Sequence, residues 1–292
     1  MQIFYGSSEV WIDVTDICRE KLTCNDCITI PSGDSKRAYY FTDPLFGVLK
    51  KIRIDMIDYD DVYTICINTV TNEICCENKL DILWNLHSTL CLNYGSFSDE
   101  LPEQKMAVQY LTGNENVLEI GGNIGRNSLV IASIVQDLVT LESDANIATQ
   151  LIENRDANQL NFHVECSALS NRPLIQHDGE TIPSDTLLEG YQWVNIISLP
   201  ELRDKYQIDF DTLVLDCEGA FYYILMDMPE ILDNINLIIM KNDYFNLSHK
   251  QYIDTILKQN FYVDYTEPGG WGPCANHFFE VWKRKEIDEY FT

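Results

Sequence analysis

The sequence predicts an α/β fold in which a mostly parallel β-sheet, covered by helices on both faces, follows a small β-rich module. Up to about residue 75, short segments of β-branched and aromatic residues are separated by Gly, Pro and Asp. From residue 99 onward, short apolar strands alternate with helical segments, which is typical of a parallel sheet. We therefore predict a β-rich module over 1–76, a helical linker over 77–98 and the main α/β domain over 99–292.

The predicted elements follow from local patterns. Alternation and β-branched content predict strands in the first module, which together favour a small sandwich or barrel: Ile3–Tyr5, Val10–Val14, Cys27–Ile30, Ala38–Phe41, Val48–Ile54 and Val62–Asn68. Apolar residues at helical spacing predict a helix over 80–90. In the main domain the patterns predict two helices, five strands and a closing antiparallel pair: helices 125–136 and 147–158, strands 117–120, 138–141, 161–166, 212–215 and 237–240, and the pair 261–265 and 277–282.

Composition limits the partners. The net charge of −26 over 292 residues repels phosphate backbones and anionic lipid, so we expect neither a nucleic-acid nor a membrane partner. No apolar run approaches the roughly 20 residues needed to cross a bilayer, and no signal peptide is evident, which predicts a cytoplasmic protein. Most of the ten cysteines should then be reduced thiols. Cys24 and Cys27 have the spacing of half a zinc site, but no second pair follows at the usual distance.

A glycine-rich turn follows the first strand of the main domain. The segment Glu119-Ile120-Gly121-Gly122-Asn123-Ile124-Gly125 joins a strand that ends beside an acid to a helix. Such a turn lets the backbone approach a ligand at the carboxyl end of a sheet. Asn123 stands where a dinucleotide fingerprint would need its second glycine, and Glu119 would repel a diphosphate. The pattern favours a ligand with an ammonium group; a tight corner without ligand is the alternative.

Acids also end the neighbouring strands. Glu142 follows the next strand, where a carboxylate can accept both ribose hydroxyls of a nucleoside. Asp216 and Glu218 follow a later strand and should lie at the same edge. These two acids could bind substrate hydroxyls, hold a divalent cation or act as a general base, while Asp216 could instead merely cap a helix.

With these motifs the chain resembles the FkbM family of S-adenosylmethionine-dependent methyltransferases over roughly residues 99–285. The resemblance lies in the glycine-turn motif, in Ala168-Leu169-Ser170, in Asp216-Cys217-Glu218-Gly219-Ala220 and in Phe278-Phe279-Glu280-Val281-Trp282. It implies a Rossmann-like seven-stranded methyltransferase sheet and methyl transfer to oxygen, commonly on a sugar or natural product. A small-molecule or glycan acceptor is therefore expected.

The resemblance also implies site residues. The cofactor would be bound by residues of the turn and of the following strand ends: Glu119, Gly121, Gly122, Asn123 and Gly125 around the methionyl part, Glu142 at the ribose, and Ser167 and Ala168 near the adenine. Asp216 would contact the cofactor and, with Glu218, face the substrate. We expect Asp216 or Glu218 to deprotonate the acceptor hydroxyl, with His277, near the start of a late strand, as a further candidate.

The sequence departs from the family pattern at two strand ends. Val214 and Leu215 stand where many members have a lysine, and Lys241-Asn242 stands where the next strand commonly ends in glutamate. A divalent cation as second cofactor and the identity of the base are therefore left open. Two other classes of function also stay open: an inactive methyltransferase-like binding or assembly protein, and an NAD-dependent oxidoreductase, which Asn123 disfavours.

Overall fold

The structure is a computed structural model that describes residues 1–7, 10–45, 48–177 and 180–285. The chain divides into two units, Met1–Trp84 and Asn85–Thr292.

The first unit consists of short strands and helices. Its elements are β1 (Ile3–Ser7), β2 (Val10–Asp13), α1 (Thr15–Lys21), β3 (Thr23–Cys24), β4 (Cys27–Ile30), α2 (Asp34–Phe41), β5 (Lys51–Ile54), β6 (Ile57–Tyr59), β7 (Tyr63–Asn68), β8 (Ile74–Asn78) and the start of α3 (Lys79–Thr89). Two antiparallel sheets form, with strand orders β2-β1-β5-β6 and β3-β4-β7-β8. Alternate residues of both sheets share one buried core, as in a sandwich: Ile3, Tyr5, Ile28, Ile30, Ile52, Ile54, Ile65 and Ile67.

The strand predicted over Ala38–Phe41 is wrong, because these residues complete helix α2. Tertiary contacts explain why a helix forms here. Arg37 is fully buried, and its guanidinium group donates to the carbonyl oxygens of Pro31 (2.9 Å) and Tyr63 (2.7 Å). Helical geometry buries Phe41 in the same core, so packing overrides the β-propensity of the Tyr-Tyr-Phe run. Helix α1 was not predicted either.

The second unit contains the predicted α/β domain. Its strands are β9 (Asn116–Ile120), β10 (Asp137–Leu141), β11 (His163–Glu165), β12 (Ala168–Leu169), β13 (Leu174–His177), β14 (Glu180–Pro183), β15 (Gln192–Trp193), β16 (Ile196–Ile197), β17 (Thr212–Leu215), β18 (Leu237–Lys241), β19 (Phe261–Glu267) and β20 (Phe279–Arg284). Its helices are α4 (Leu101–Tyr110), α5 (Arg126–Ala132), α6 (Ala145–Ala157), α7 (Leu199–Tyr206), α8 (Phe221–Asp227) and α9 (Leu247–Asn260).

The described residues of this unit form a seven-stranded sheet, the central sheet, in the order β11-β10-β9-β17-β18-β20-β19. Strands β9, β10, β11, β17 and β18 are parallel, and β20 runs antiparallel to both β18 and β19. The Rossmann-like seven-stranded sheet that the sequence predicted is therefore present, including its closing antiparallel pair. The strand order reverses between β9 and β17, and ligands bind at such a switch point, outside the carboxyl ends of the strands.

Burial explains why the central strands form. Every residue of β17 is buried, as are four of the five residues of β9, β10 and β18, so these strands are covered on both faces. The polar stretch between the third and fourth parallel strands was not assigned, and it contains a small antiparallel sheet of order β14-β13-β15. No helix among the described residues is long and apolar enough to cross a membrane.

Candidate functional site

Residues 121–125, the glycine turn, connect β9 to α5. Gly121, Asn123 and Gly125 have φ angles of 88°, 47° and 91°, in the left-handed region that favours Gly and tolerates Asn. A Cβ atom on Gly121 would lie 1.9 Å from the carbonyl oxygen of Asp216, because the turns after the neighbouring strands β9 and β17 touch each other. Backbone packing therefore requires glycine at position 121, whether or not a ligand binds there.

Glu119 lies beneath the turn and does not line the cavity described below. It is 2% exposed, and its carboxylate accepts hydrogen bonds from Ser128 Oγ (2.5 Å), Thr140 Oγ1 (2.8 Å) and Asn127 Nδ2 (3.3 Å). Burial raises the pKa of Glu119 to about 7, although the hydroxyl donors lower it. Glu119 was predicted to lie around the methionyl part of a ligand, but the structure places its carboxylate outside the cavity lining, where it ties β9 to β10 and α5.

Glu142, which was predicted to contact a ribose, follows β10 and lines the cavity. One carboxylate oxygen accepts the backbone N–H of Asn123 (2.9 Å), and the other accepts the backbone N–H of Asp144 (2.8 Å). Burial raises the pKa of Glu142, and these two donors oppose the rise. Because each oxygen has one amide donor, the carboxylate is held in one orientation and keeps lone pairs for a ligand.

A cavity of about 500 Å³ opens at the carboxyl ends of the central strands. Among the described residues its lining contains seven carboxylates, those of Asp99, Glu100, Glu142, Asp144, Asp216, Glu218 and Asp227, but only two cations, Arg126 and Lys241. Arg126 forms ion pairs with Glu100 (2.6 Å) and Asp99 (3.3 Å), and Lys241 pairs with Asp216 (3.0 Å). The cavity therefore has a net negative lining whose cations are already engaged.

The apolar part of the lining lies near Glu142. Ser167 and Ala168, which were predicted near an adenine, both line the cavity with Ile120, Leu141 and Ile147. Ser167 is 7% exposed, and its hydroxyl donates to Glu165 (3.1 Å). These residues give the lining apolar side chains beside an oriented carboxylate.

Asp216 directly follows β17, and Lys241 is the last residue of the adjacent strand β18. Burial raises the pKa of Asp216, and the ammonium group of Lys241 opposes this rise. Glu103 on α4 is 6% exposed, and its Oε1 lies 3.9 Å from Lys241 Nζ. Burial, together with the charge of Asp216, raises the pKa of Glu103 to about 7. Two acids thus share one lysine at this end of the cavity.

The other predicted residues separate into two groups. Glu218 lines the cavity at a φ of 47°, and Gly121 and Asn123 line it from the turn. Gly122 and Gly125 do not line it; a Cβ on Gly122 would lie 2.1 Å from Thr140 Cγ2, so their role is to allow close packing.

His277 is not brought to the cavity. It belongs to a 3₁₀ turn before β20, and its exposed ring lies 3.5 Å from the hydroxyl of Thr266. Its backbone oxygen accepts a hydrogen bond from the side chain of Asn242. The prediction of His277 as a base does not fit this position.

Several cavity residues were missed by sequence reasoning, among them Glu100, Arg126 and Asp227. Lys241 was noticed only as a departure from a family pattern. The available signal was positional: Lys241 ends the strand next to the one that Asp216 follows, so the two side chains meet at one edge.

The first unit contains Cys24 and Cys27, which have the spacing of half a zinc site. Asn25 and Asp26 have positive φ, and Cys24 and Cys27 face each other across this two-residue turn between β3 and β4. In the ranges that the structure describes, no group of three or more His, Cys, Asp and Glu side chains is arranged to hold a metal ion.

Comparison with known proteins gives matches among solved structures. No family model matches the chain, and no curated protein matches it. Similar structures include a ribosomal protein L11 methylase from Lactobacillus delbrueckii subsp. bulgaricus (11% identity, 64% of this chain and 80% of that chain, TM-score 0.43). Also similar is an rRNA methylase from Streptococcus thermophilus (7% identity, 64% of this chain and 95% of that chain, TM-score 0.40). A third similar structure is a proposed methyltransferase from Streptococcus mutans in complex with SAH (11% identity, 64% of this chain and 97% of that chain, TM-score 0.42). Identities and TM-scores this low do not identify the reaction or the substrate.

Proposed function

We propose that this chain is an S-adenosylmethionine-dependent methyltransferase that transfers a methyl group to a hydroxyl oxygen. The observation that carries the proposal is the charge of the cavity: seven carboxylates and two paired cations line it at the switch point of a Rossmann-like sheet. In a low-dielectric cleft this lining attracts a cationic nucleoside and repels a diphosphate. An NAD-dependent reaction is disfavoured for the same reason.

The residues present fit this cofactor. Glu142, held by two backbone amides, would accept the ribose hydroxyls, and the apolar surface at Ser167 and Ala168 would lie against the adenine. Gly121 and Asn123 would let the methionyl part approach the backbone. When bound, S-adenosylmethionine supplies an electrophilic methyl group on a positively charged sulfur.

The chain's own residues would handle the acceptor and its proton. Asp216 lines the cavity with its carboxylate fixed by Lys241, so we infer that it accepts the proton of the acceptor hydroxyl. Glu218 lines the same cavity and would orient the acceptor or replace Asp216 in this role. Holding the acceptor oxygen in line with the methyl group supplies the rest of the rate enhancement.

We further propose the finer assignments that the sequence motifs suggest. These are membership of the FkbM family, residues 99–292 as the methyltransferase domain, and a neutral sugar or glycan as acceptor. The acidic lining supports a neutral acceptor, because a phosphorylated one or a nucleic acid would be repelled.

Titration calorimetry tests the cofactor. We expect S-adenosylmethionine to bind in a way that weakens as salt is added, and NADH not to bind. Absence of S-adenosylmethionine binding would leave a binding or assembly protein with a methyltransferase-like fold.

The acceptor is tested separately with a methyl-labelled cofactor. Neutral mono- and oligosaccharides, their phosphorylated counterparts and a short RNA are compared at equal concentration. Label on a neutral saccharide supports the proposal, whereas label on RNA or on phosphosugars alone contradicts the inferred acceptor class.

A further inference from the structure

Lys241 is the last residue of β18, and Asp216 directly follows β17. The register of these parallel strands pairs Leu215 with Met240, which sets Asp216 and Lys241 side by side. The ammonium nitrogen of Lys241 lies 3.0 Å from one carboxylate oxygen of Asp216 and 3.3 Å from the other. It also lies 3.9 Å from Glu103, one of whose oxygens is buried without a hydrogen-bond partner.

Other charged and titratable groups surround this pair on all sides. They are Glu100 directly before α4, Glu103 on α4, Arg126 on α5, Cys217 after β17 and Asp243 after β18. Arg126 is engaged by Glu100 and Asp99, and the buried thiol of Cys217 stays neutral because burial raises its pKa to about 12. Lys241 is therefore the cation in direct contact with Asp216. The negative charge of Asp243 disfavours the ionised form of Asp216, and burial together with the charge of Asp216 raises the pKa of Glu100 and Glu103.

We propose that Lys241 is a positioning residue, whose ammonium group keeps the carboxylate of Asp216 charged and fixed at the wall of the cavity. Asp216 is mostly buried, and burial alone would favour its neutral form, which cannot accept a proton. Glu103 competes with Asp216 for the same ammonium group, and burial together with the charge of Asp216 raises the pKa of Glu103. The structural claim stands on its own, and its consequence for turnover rests on the proposed function.

Two substitutions should move the ionisation of Asp216 in opposite directions. Lys241→Met removes the favourable cation, and we expect the pKa of Asp216 to rise by about 1–3 units. Glu103→Gln removes the carboxylate that competes with Asp216 for the ammonium group of Lys241. The pKa of Asp216 should therefore fall. Lys241→Arg keeps the charge and should restore most of the wild-type value.

Carbon-13 NMR of the full chain labelled at the Asp side-chain carboxyl groups measures this directly. The Asp216 signal is assigned by its loss in Asp216→Asn, and circular dichroism shows which variants fold. Opposite shifts in Lys241→Met and Glu103→Gln support the inference. An unchanged Asp216 titration in either folded variant overturns it; if Lys241→Met does not fold, Glu103→Gln alone decides.

The pH profile of methyl transfer, with whichever acceptor the labelled-cofactor screen identifies, extends the test. The acidic limb should move to higher pH in Lys241→Met and to lower pH in Glu103→Gln. A uniform loss of rate at every pH, without movement of the limb, would indicate a merely structural lysine and contradict the proposal. If the wild type does not bind S-adenosylmethionine, the proposed function fails while the NMR result still judges the role of Lys241.

Discussion

The ends of β9 and β10 and the ends of β17 and β18 hold buried carboxylates by different means. Glu119 and Glu142 receive hydrogen bonds from hydroxyl, amide and backbone donors, none of which carries a formal charge. Asp216 is instead held by the full positive charge of Lys241. The first arrangement orients a carboxylate without neutralising it, whereas the second compensates its charge within the protein.

This difference assigns different tasks to the two sides. A carboxylate held by neutral donors keeps its field for a ligand, so the β9–β10 side is suited to binding a cation. A carboxylate paired with an ammonium group attracts an external cation less but stays ionised when buried, so the β17–β18 side is suited to accepting a proton. If the two sides differ in this way, substitutions on the β9–β10 side should change cofactor binding, and substitutions on the β17–β18 side should change the rate of methyl transfer.

The largest expected effect is on turnover in Asp216→Asn. An amide cannot accept the proton of the acceptor, so the rate of methyl transfer should fall by roughly 10²–10⁴-fold. Calorimetry should show affinity for S-adenosylmethionine unchanged to within about threefold, which is less than 1 kcal/mol. Asp211→Asn, just before the opposite end of the same strand, is the matched control. Full activity in Asp216→Asn would transfer the role to Glu218, which Glu218→Gln then tests.

The second prediction concerns the contact between the two sides. In Gly121→Ala the new methyl group would meet the Asp216 carbonyl oxygen at 1.9 Å, on a residue with a φ of 88°. Together, left-handed strain and overpacking should lower the free energy of unfolding by about 3–5 kcal/mol. Urea unfolding measures it. Gly272→Ala has a similar φ of 96° and nothing within 4 Å, so it should cost only the strain; equal losses would show that the turns can separate.

The predictable part of this site is the part that local pattern determines. Strand β17 matches its predicted bounds, and β9, β10 and β18 match to within one residue, because apolar runs flanked by polar residues are a local signal. The presence of a turn could also be predicted from its own residues, because Gly121 and Asn123 adopt the left-handed angles that Gly and Asn favour. Glu142 lines the cavity because it continues directly from such a strand.

What could not be predicted depends on contacts between distant residues. The burial of Glu119 depends on Thr140 and Ser128, which reach it from β10 and α5. The pairing of Lys241 with Asp216 depends on strand register, and α2 depends on the burial of Arg37. A residue type with two uses, such as a carboxylate that can bind a ligand or brace a turn, is assigned only once its neighbours are known.

The third prediction tests whether Glu119 braces the fold. Because its pKa of about 7 in the folded protein exceeds the ordinary 4.5, the folded state binds more protons and stability falls as pH rises through this window. Glu119→Gln removes that dependence, so its stability relative to wild type should increase by up to about 3 kcal/mol between about pH 5 and pH 8. Urea unfolding at both pH values measures it.

Glu165→Gln is the control of opposite sign. Although burial raises the pKa of Glu165, hydrogen bonds from Lys205 and Tyr206 outweigh it and leave the pKa lowered, so Glu165 stays charged across the window. Its stability difference from wild type should not grow with pH. A Glu119→Gln variant that behaves in the same way would mean that Glu119 is ionised throughout and compensated by its donors.

The smallest effect expected is on cofactor affinity in Glu142→Ala. This change removes the acceptor for two ribose hydroxyls, and frees the backbone N–H groups of Asn123 and Asp144. Affinity for S-adenosylmethionine should fall by roughly 10–100-fold, or about 1.4–2.8 kcal/mol, as expected for hydrogen bonds to a charged group. Glu165→Ala removes the equivalent carboxylate from the end of the next strand, β11, outside the cavity, and should lose stability without losing affinity. Equal affinity in Glu142→Ala and wild type would show that the β9–β10 side does not bind the nucleoside, and the contrast between the two sides would then concern folding alone.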